Sequence, residues 1–344
     1  MGYGERVDAV VGKLSRLLHL RRTHTDTSHE LTPYFGLPLD ELLPEPARLP
    51  EVHRIAPRFR LGSMTTETLS WRSMHEPLSD AYKRRHTGAY DANLQAYARW
   101  IHQKSYRRKS LLLYVHGWLE PGSWVEEATL MPLWYRELGV DVAHVQLPFH
   151  GRRRPTGQLF HGEWFWTADL VRSLESVRQA VYDVRAIMAW FRNLGYDEVG
   201  ITGLSLGGCI TMLTACVSPL PDYAVPMIAH LELPDAIEEA PILWRMKDDL
   251  GRFGIDAAHR REIFTRVTLS QASPLLPNEK QLWVAAREDG YLKAELVQQQ
   301  WNRWNKPPIM WINGGHMTFP LAIGDIVRRM KSLPKHAGDH RVAC

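Results

Sequence analysis

The chain has 344 residues, 44% hydrophobic and 23% charged, with 42 Lys and Arg against 38 Asp and Glu for a formal net charge of +4. Such a composition excludes global disorder, three cysteines in so long a chain exclude a disulfide scaffold and favour a reducing compartment, and no apolar run reaches the ~18 residues of a transmembrane helix. The basic excess is small and dispersed, which argues against a nucleic-acid partner, and Met1-Gly2-Tyr3-Gly4-Glu5-Arg6 lacks the basic and apolar regions of a secretory signal, so the chain reads as soluble and cytoplasmic.

From Arg6 to Leu20, residues Val7, Val10, Val11, Leu14, Leu17 and Leu18 recur on one face and predict an amphipathic helix. Its apolar stripe fits an arm docked on the domain; the rival reading is a helix on a membrane surface, which keeps peripheral membrane contact open. Pro33, Pro38, Pro44, Pro46, Pro50 and Pro57 make the following stretch a wrapped linker, because proline forbids a long helix. Met64 to Trp71 and Leu94 to His102 are strand candidates, although the second also fits a helix.

From Ser110 the pattern becomes regular. Leu111 to Val115 is a continuous apolar run, as a strand covered on both faces requires. Ser123 with Glu126 forms a capping box that predicts a helix to about Leu138, and Val140 to Leu147 is the next strand. Thr167 to Asn193 carries Leu170, Leu174, Val177, Val181, Val184, Ile187, Met188 and Phe191 on one stripe and stops at Gly195. Val199 to Thr202 (strand), Leu206 to Cys216 (helix), and strands at Met227 to Leu233, Gln281 to Ala286 and Ile309 to Ile312 complete the alternation. Strand-helix repetition predicts an α/β fold, a mostly parallel sheet with helices on both faces. The expected organisation is an arm, linker and initial strands over 1–109, a core over 110–334 interrupted by a small helical cap at 234–276, and a tail at 335–344. An insertion at the carboxyl end of a strand sits over the site in such sheets.

Gly203-Leu204-Ser205-Leu206-Gly207 is a G-x-S-x-G sequence entered by a strand and left by a helix. A serine hydroxyl is a poor nucleophile, so it must be lifted clear of the sheet on a tight turn and set against a base. His116-Gly117-Trp118 follows the strand ending at Val115, and a backbone N–H from this loop pairs with that of the residue after the nucleophile, giving Trp118 and Leu206 as oxyanion donors. Asp289 and His316 each lie just past the carboxyl end of a strand, so the order along the chain is Ser, acid, His. Glu288 and Glu232 are the alternative acids. His116, Gly117, Arg152 and Arg153 are candidate substrate contacts, the arginines through guanidinium forks that match anionic oxygens, with a solvated basic loop as the competing reading. Trp118, Trp124, Trp134, Trp164 and Trp166 cluster around these loops and are candidates for lining an apolar pocket. His144, His150 and His161 form no recognised ligand spacing such as H-E-x-x-H, so neither metal nor cofactor is expected. Cys209 and Cys216, seven apart on a buried helix, read as packing.

The runs Leu147-Pro148-Phe149-His150-Gly151-Arg152-Arg153-Arg154-Pro155, Gly203 to Gly208, Glu288-Asp289-Gly290-Tyr291 and Gly314-Gly315-His316 resemble α/β-hydrolase-fold serine hydrolases, specifically the subfamily around α/β-hydrolase domain-containing protein eighteen. The resemblance spans about Ser110 to Lys331 and implies cleavage of a carboxylic ester, a lipid ester among the candidates. The expectation is a cofactor-independent serine esterase with Ser205, Asp289 and His316 as its catalytic residues. An acyltransferase on the same three residues, or a ligand receptor on the same fold that turns nothing over, are the alternatives; oligomeric state is left open.

Overall fold

The computed structural model describes residues 2–18, 25–55, 60–61, 64–103, 109–267 and 269–333. Ten strands form one sheet: β1 (His53–Ile55), β2 (Arg60–Leu61), β3 (Met64–Arg72), β4 (Gln95–Gln103), β5 (Ser110–Val115), β6 (Asp141–Val145), β7 (Glu198–Leu204), β8 (Tyr223–Met227), β9 (Trp283–Ala286) and β10 (Ile309–Ile312). The order is β1-β3-β4-β6-β5-β7-β8-β9-β10, with β2 paired to β3. Pairing from β6 to β10 is parallel, whereas β1 to β4 add antiparallel at one edge through β4 and β6. The strand reading of Leu94 to His102 therefore prevails over the helical one.

Side chains alternate across a strand, so β5 feeds two cores. Leu111, Leu113 and Val115 pack with the long helix Leu170–Asn193 and with Leu206–Val217. Leu112 and Tyr114 face the other way, toward Trp134, Ile326 and Met330. The long helix starts at Leu170 because the Asp169 side chain accepts from the Arg172 N–H at 3.0 Å, capping an otherwise orphaned donor.

Three expectations change. The helix from Ser123 splits into Trp124–Ala128 and Leu130–Glu137, with Thr129 outside helical geometry at φ −125° and ψ −81°. Pro132 explains the break, since its ring would collide with the carbonyl one turn back. The capping box does not form, as the Ser123 hydroxyl bonds the Glu127 carboxylate instead. β8 ends at Met227, where the sequence suggested a beginning. Its even-numbered residues address β9, Ala224 O accepting from Leu282 N and Ile228 N donating to Val284 O. The donor that Pro226 lacks falls in this ladder, and pairing with β9 is correspondingly thin.

The third change concerns the N-terminal helix, Tyr3–Leu18. It docks, but through Gly4, Asp8, Gly12 and Ser15, which are buried, while Val10, Leu14 and Leu17 stand 59%, 59% and 67% exposed. Periodicity finds the helix, but small and polar residues make its contact with the domain, while the apolar stripe turns toward a cavity. Positions 19 and 20 of the expected helix, and the tail 335–344, lie outside the described residues. Between β8 and β9 the chain is helical, Leu233–Glu239, Trp244–Arg252 and Ala257–Arg266. Among the described residues no helix is long and apolar enough to cross a membrane.

Candidate active site

The turn between β7 and the helix Leu206–Val217 places Ser205 at φ 54° and ψ −113°, a strained conformation for a residue with a side chain. Two glycines make it feasible. A Cβ on Gly203 would lie 2.1 Å from Gly207 O, and one on Gly207 would lie 2.0 Å from Val115 O. The Ser205 N–H donates to Met227 O at 2.9 Å, pinning the turn to the end of β8.

At the carboxyl ends of β9 and β10 the next two residues come into reach. His316 Nε2 lies 2.9 Å from Ser205 Oγ, and Nδ1 lies 2.9 Å from Asp289 Oδ2. An ionised carboxylate only accepts, so Nδ1 carries the ring proton and Nε2 is left to accept from the serine hydroxyl. Asp289 Oδ1 accepts from the N–H groups of Tyr291 and Leu292 at 2.8 and 2.7 Å, which fixes the carboxylate. Glu288 and Glu232 are engaged elsewhere, Glu288 accepting from Gly4 N at 2.7 Å and Glu232 pairing with Arg303. Burial alone pulls the His316 pKa down, but the Asp289 charge and hydrogen bond, together with the Asp8 charge, raise it above the usual imidazole value.

Ser205 and His316 line a cavity of about 680 Å³. Its walls include Trp118 and Trp166, Leu14 and Leu17 of the N-terminal helix, and Leu233 and Leu243 from the region after β8. Leu206, first residue of the helix, and Trp118 line the same cavity. Two of the five clustered tryptophans thus reach the cavity; Trp134 is core, Trp164 packs on Tyr90, and Trp124 is 68% exposed. His230 also lines the cavity and was not anticipated, because its position depends on the loop after the misjudged β8. Its Nδ1 accepts from Glu232 N at 3.0 Å, and burial lowers its pKa to about 4, so it is neutral. Burial pushes the Cys209 thiol up to about 12, and Cys216 is likewise buried, consistent with packing roles.

The arginine loop is corrected. Arg153 is fully buried, pairs with Asp183 at 2.8 Å and donates to the carbonyls of Asn93 and Gln146, so it is tied into the fold and does not line the cavity. Arg152 is exposed over the Tyr97 ring and does not line the cavity. His116 is buried too: Nε2 accepts from Leu147 N at 2.9 Å, which leaves Nδ1–H to donate to Gly117 O at 2.7 Å. Its ring holds the loop and does not face a ligand, whereas Gly117 lies on the cavity wall. Beneath this loop, ligand-type atoms of Glu120, Glu126 and His144 lie within 4.8 Å of one another, a metal-competent grouping that joins separate elements and so left no sequence spacing. His144 Nε2 is 2.8 Å from Glu120 Oε1. Burial lifts both glutamates above the usual carboxylate range, and two carboxyls so close retain a proton between them.

The acetyl xylan esterase from Paenibacillus sp. R4 superimposes with a TM-score of 0.61 at 14% identity, covering 93% of this chain and 99% of that one. Acetyl xylan esterase 1 from Thermoanaerobacterium sp. JW/SL YS485 gives 0.60 at 15% identity, with 92% and 98% covered. The chain has the α/β-hydrolase fold. Residues 131–233 match the family model described as Alpha/beta hydrolase domain containing 18, a stretch that includes Ser205. Two uncharacterized proteins of Mycobacterium tuberculosis, from strains CDC 1551 / Oshkosh and H37Rv, are each 30% identical over 242 residues, 67% of this chain. The match spans 55% of the length of those relatives.

Proposed function

We propose that this α/β-hydrolase is a serine hydrolase that cleaves carboxylic esters with an apolar acyl group through an acyl-enzyme. The observation that carries the reading is the chain of two 2.9 Å contacts from Ser205 Oγ through His316 to Asp289, at the wall of a cavity lined mainly by apolar side chains. His316 Nε2 removes the hydroxyl proton as Oγ attacks the acyl carbon, and Asp289 stabilises the resulting imidazolium. The oxyanion is received by the backbone N–H groups of Trp118 and Leu206, each such donor contributing on the order of 3 kcal/mol to transition-state stability. Collapse of the tetrahedral intermediate breaks the bond to the alkoxy group, which leaves with the proton from His316. Water then attacks the acyl-enzyme, giving its proton to His316, and the acid is released with Ser205 restored. Ester cleavage is also the activity in the names of the two fold neighbours described above.

The test is covalent labelling of Ser205 by a fluorophosphonate, combined with hydrolysis of p-nitrophenyl esters of graded chain length. Wild type is expected to label at neutral pH and to prefer acyl chains long enough to fill the cavity, and Ser205→Ala to lose labelling and at least about 10⁴-fold in turnover. Absence of wild-type labelling would overturn the reading.

A further inference from the structure

Asp8 sits on the docked face of the N-terminal helix, fully buried. The helix comes close enough that a Cβ on Gly4 would lie 2.0 Å from Gly315 N, so helix backbone and histidine-loop backbone touch directly. That approach delivers the Asp8 carboxylate to three backbone donors. Oδ2 accepts from Gly290 N at 2.8 Å and from His316 N at 2.7 Å, and Oδ1 accepts from Met317 N at 2.8 Å. One donor follows the acid Asp289 in the chain, one belongs to the histidine itself, and one follows it.

We propose that Asp8 is a positioning residue for the base of this site, its carboxylate clamping the acid loop to the histidine loop and holding His316 between Ser205 and Asp289. The inference rests on the reading of those three residues given above. Hydrogen bonds from N–H groups to an ionised carboxylate are about twice as strong as neutral ones, and three of them on one side chain set the separation of the two loops. The loops also meet through the His316–Asp289 bond, the Glu288 N to Gly314 O bond and the Tyr291 ring against His316. Without the clamp the imidazole is free to swing from its line between hydroxyl and carboxylate, and a displacement of about 1 Å at such a site costs on the order of 100-fold in rate.

The charge has a second consequence. Around His316 the titratable groups are Asp289, Asp8, the Tyr291 phenol, whose ring lies 5.0 Å away, and His230. Burial keeps the phenol and His230 neutral, so Asp289 and Asp8 are the charged members of this set. Both favour the imidazolium. Removing the Asp8 charge therefore moves the acid limb of activity toward lower pH.

The experiment measures fluorophosphonate labelling rates over about pH 5 to 9 for the full chain and for Asp8→Asn, Asp8→Ala and Gly4→Val, with thermal unfolding to establish that each is folded. Asp8→Asn keeps the side-chain shape and carries the test if Asp8→Ala does not fold. The expected result is a plateau rate about 10- to 100-fold lower in Asp8→Asn, with its acid limb displaced to lower pH. Gly4→Val, which cannot seat the helix without shifting Gly315, is expected to lower the rate while Asp8 is retained. A rate for folded Asp8→Asn within about twofold of the full chain overturns the proposal, and so does a fall in rate with an unmoved limb. Labelling that is absent in the unaltered chain removes the nucleophile reading itself, so the two failures are told apart.

Discussion

The loop from His116 to Glu120 has a histidine neighbourhood on either side, and the two behave in opposite ways although both are buried. On the cavity side His316 is held above the usual imidazole pKa by Asp289 and Asp8. On the other side His116 and His144 are pulled down to about 4 and His150 well below its ordinary value, in each case chiefly by burial. Carboxylates are present on both sides, so proximity to an acid does not explain the difference. Asp289 and Asp8 accept from two and three backbone N–H groups, whereas burial raises Glu120 and Glu126 to about 7, which weakens the charge they offer to the histidines beside them.

The contrast can be broken at its strongest point first. Asp289→Asn is expected to lower turnover on the order of 10⁴-fold with the fold intact. Near-normal turnover by steady-state ester hydrolysis would remove Asp289 from that role. On the neutral side the effect should appear in stability. His116→Ala leaves the Leu147 N–H without its acceptor and is expected to cost about 1–3 kcal/mol by urea denaturation. An unchanged urea midpoint would show that His116 does not hold the loop.

The finest test separates the two neighbourhoods on the pH axis. Between the unfolded value of 6.5 and about 4, the unfolded chain binds protons that folded His116 and His144 refuse. Their contribution to stability is therefore complete above 6.5 and is lost as pH falls through that window. On the proposed mechanism activity needs neutral His316, whose raised pKa puts the midpoint of the acid limb above 6.5. On acidification, turnover should fall before the urea midpoint does. Coincident curves from the same samples would break the comparison.

Much of the parallel half of the sheet is legible in sequence because strands covered on both faces are short apolar runs, and β5, β7, β9 and β10 lie where such runs predict. Ser205, Asp289 and His316 are legible for a related reason: each follows a strand end, so topology places them together. What escapes is contact made by polar or small groups. Arg153 reads as a ligand grip until Asp183, thirty residues on along a different element, is seen opposite it. The grouping of Glu120, Glu126 and His144 and the place of His230 depend on loops whose course follows from tertiary pairing. Asp8 is invisible to hydrophobic periodicity, since a buried carboxylate among glycines looks like the solvent side of the helix.

The hydrogen bond between Asp8 and His316 N joins residues 308 apart in sequence. During synthesis the Asp8 carboxylate emerges before Ser205, and the loops that the carboxylate ties appear after both. Closing a contact of such length is entropically slow to be rewarded. Completion of the site thereby waits for the histidine loop, and a nascent chain with the turn at Ser205 already folded would still lack a seated His316.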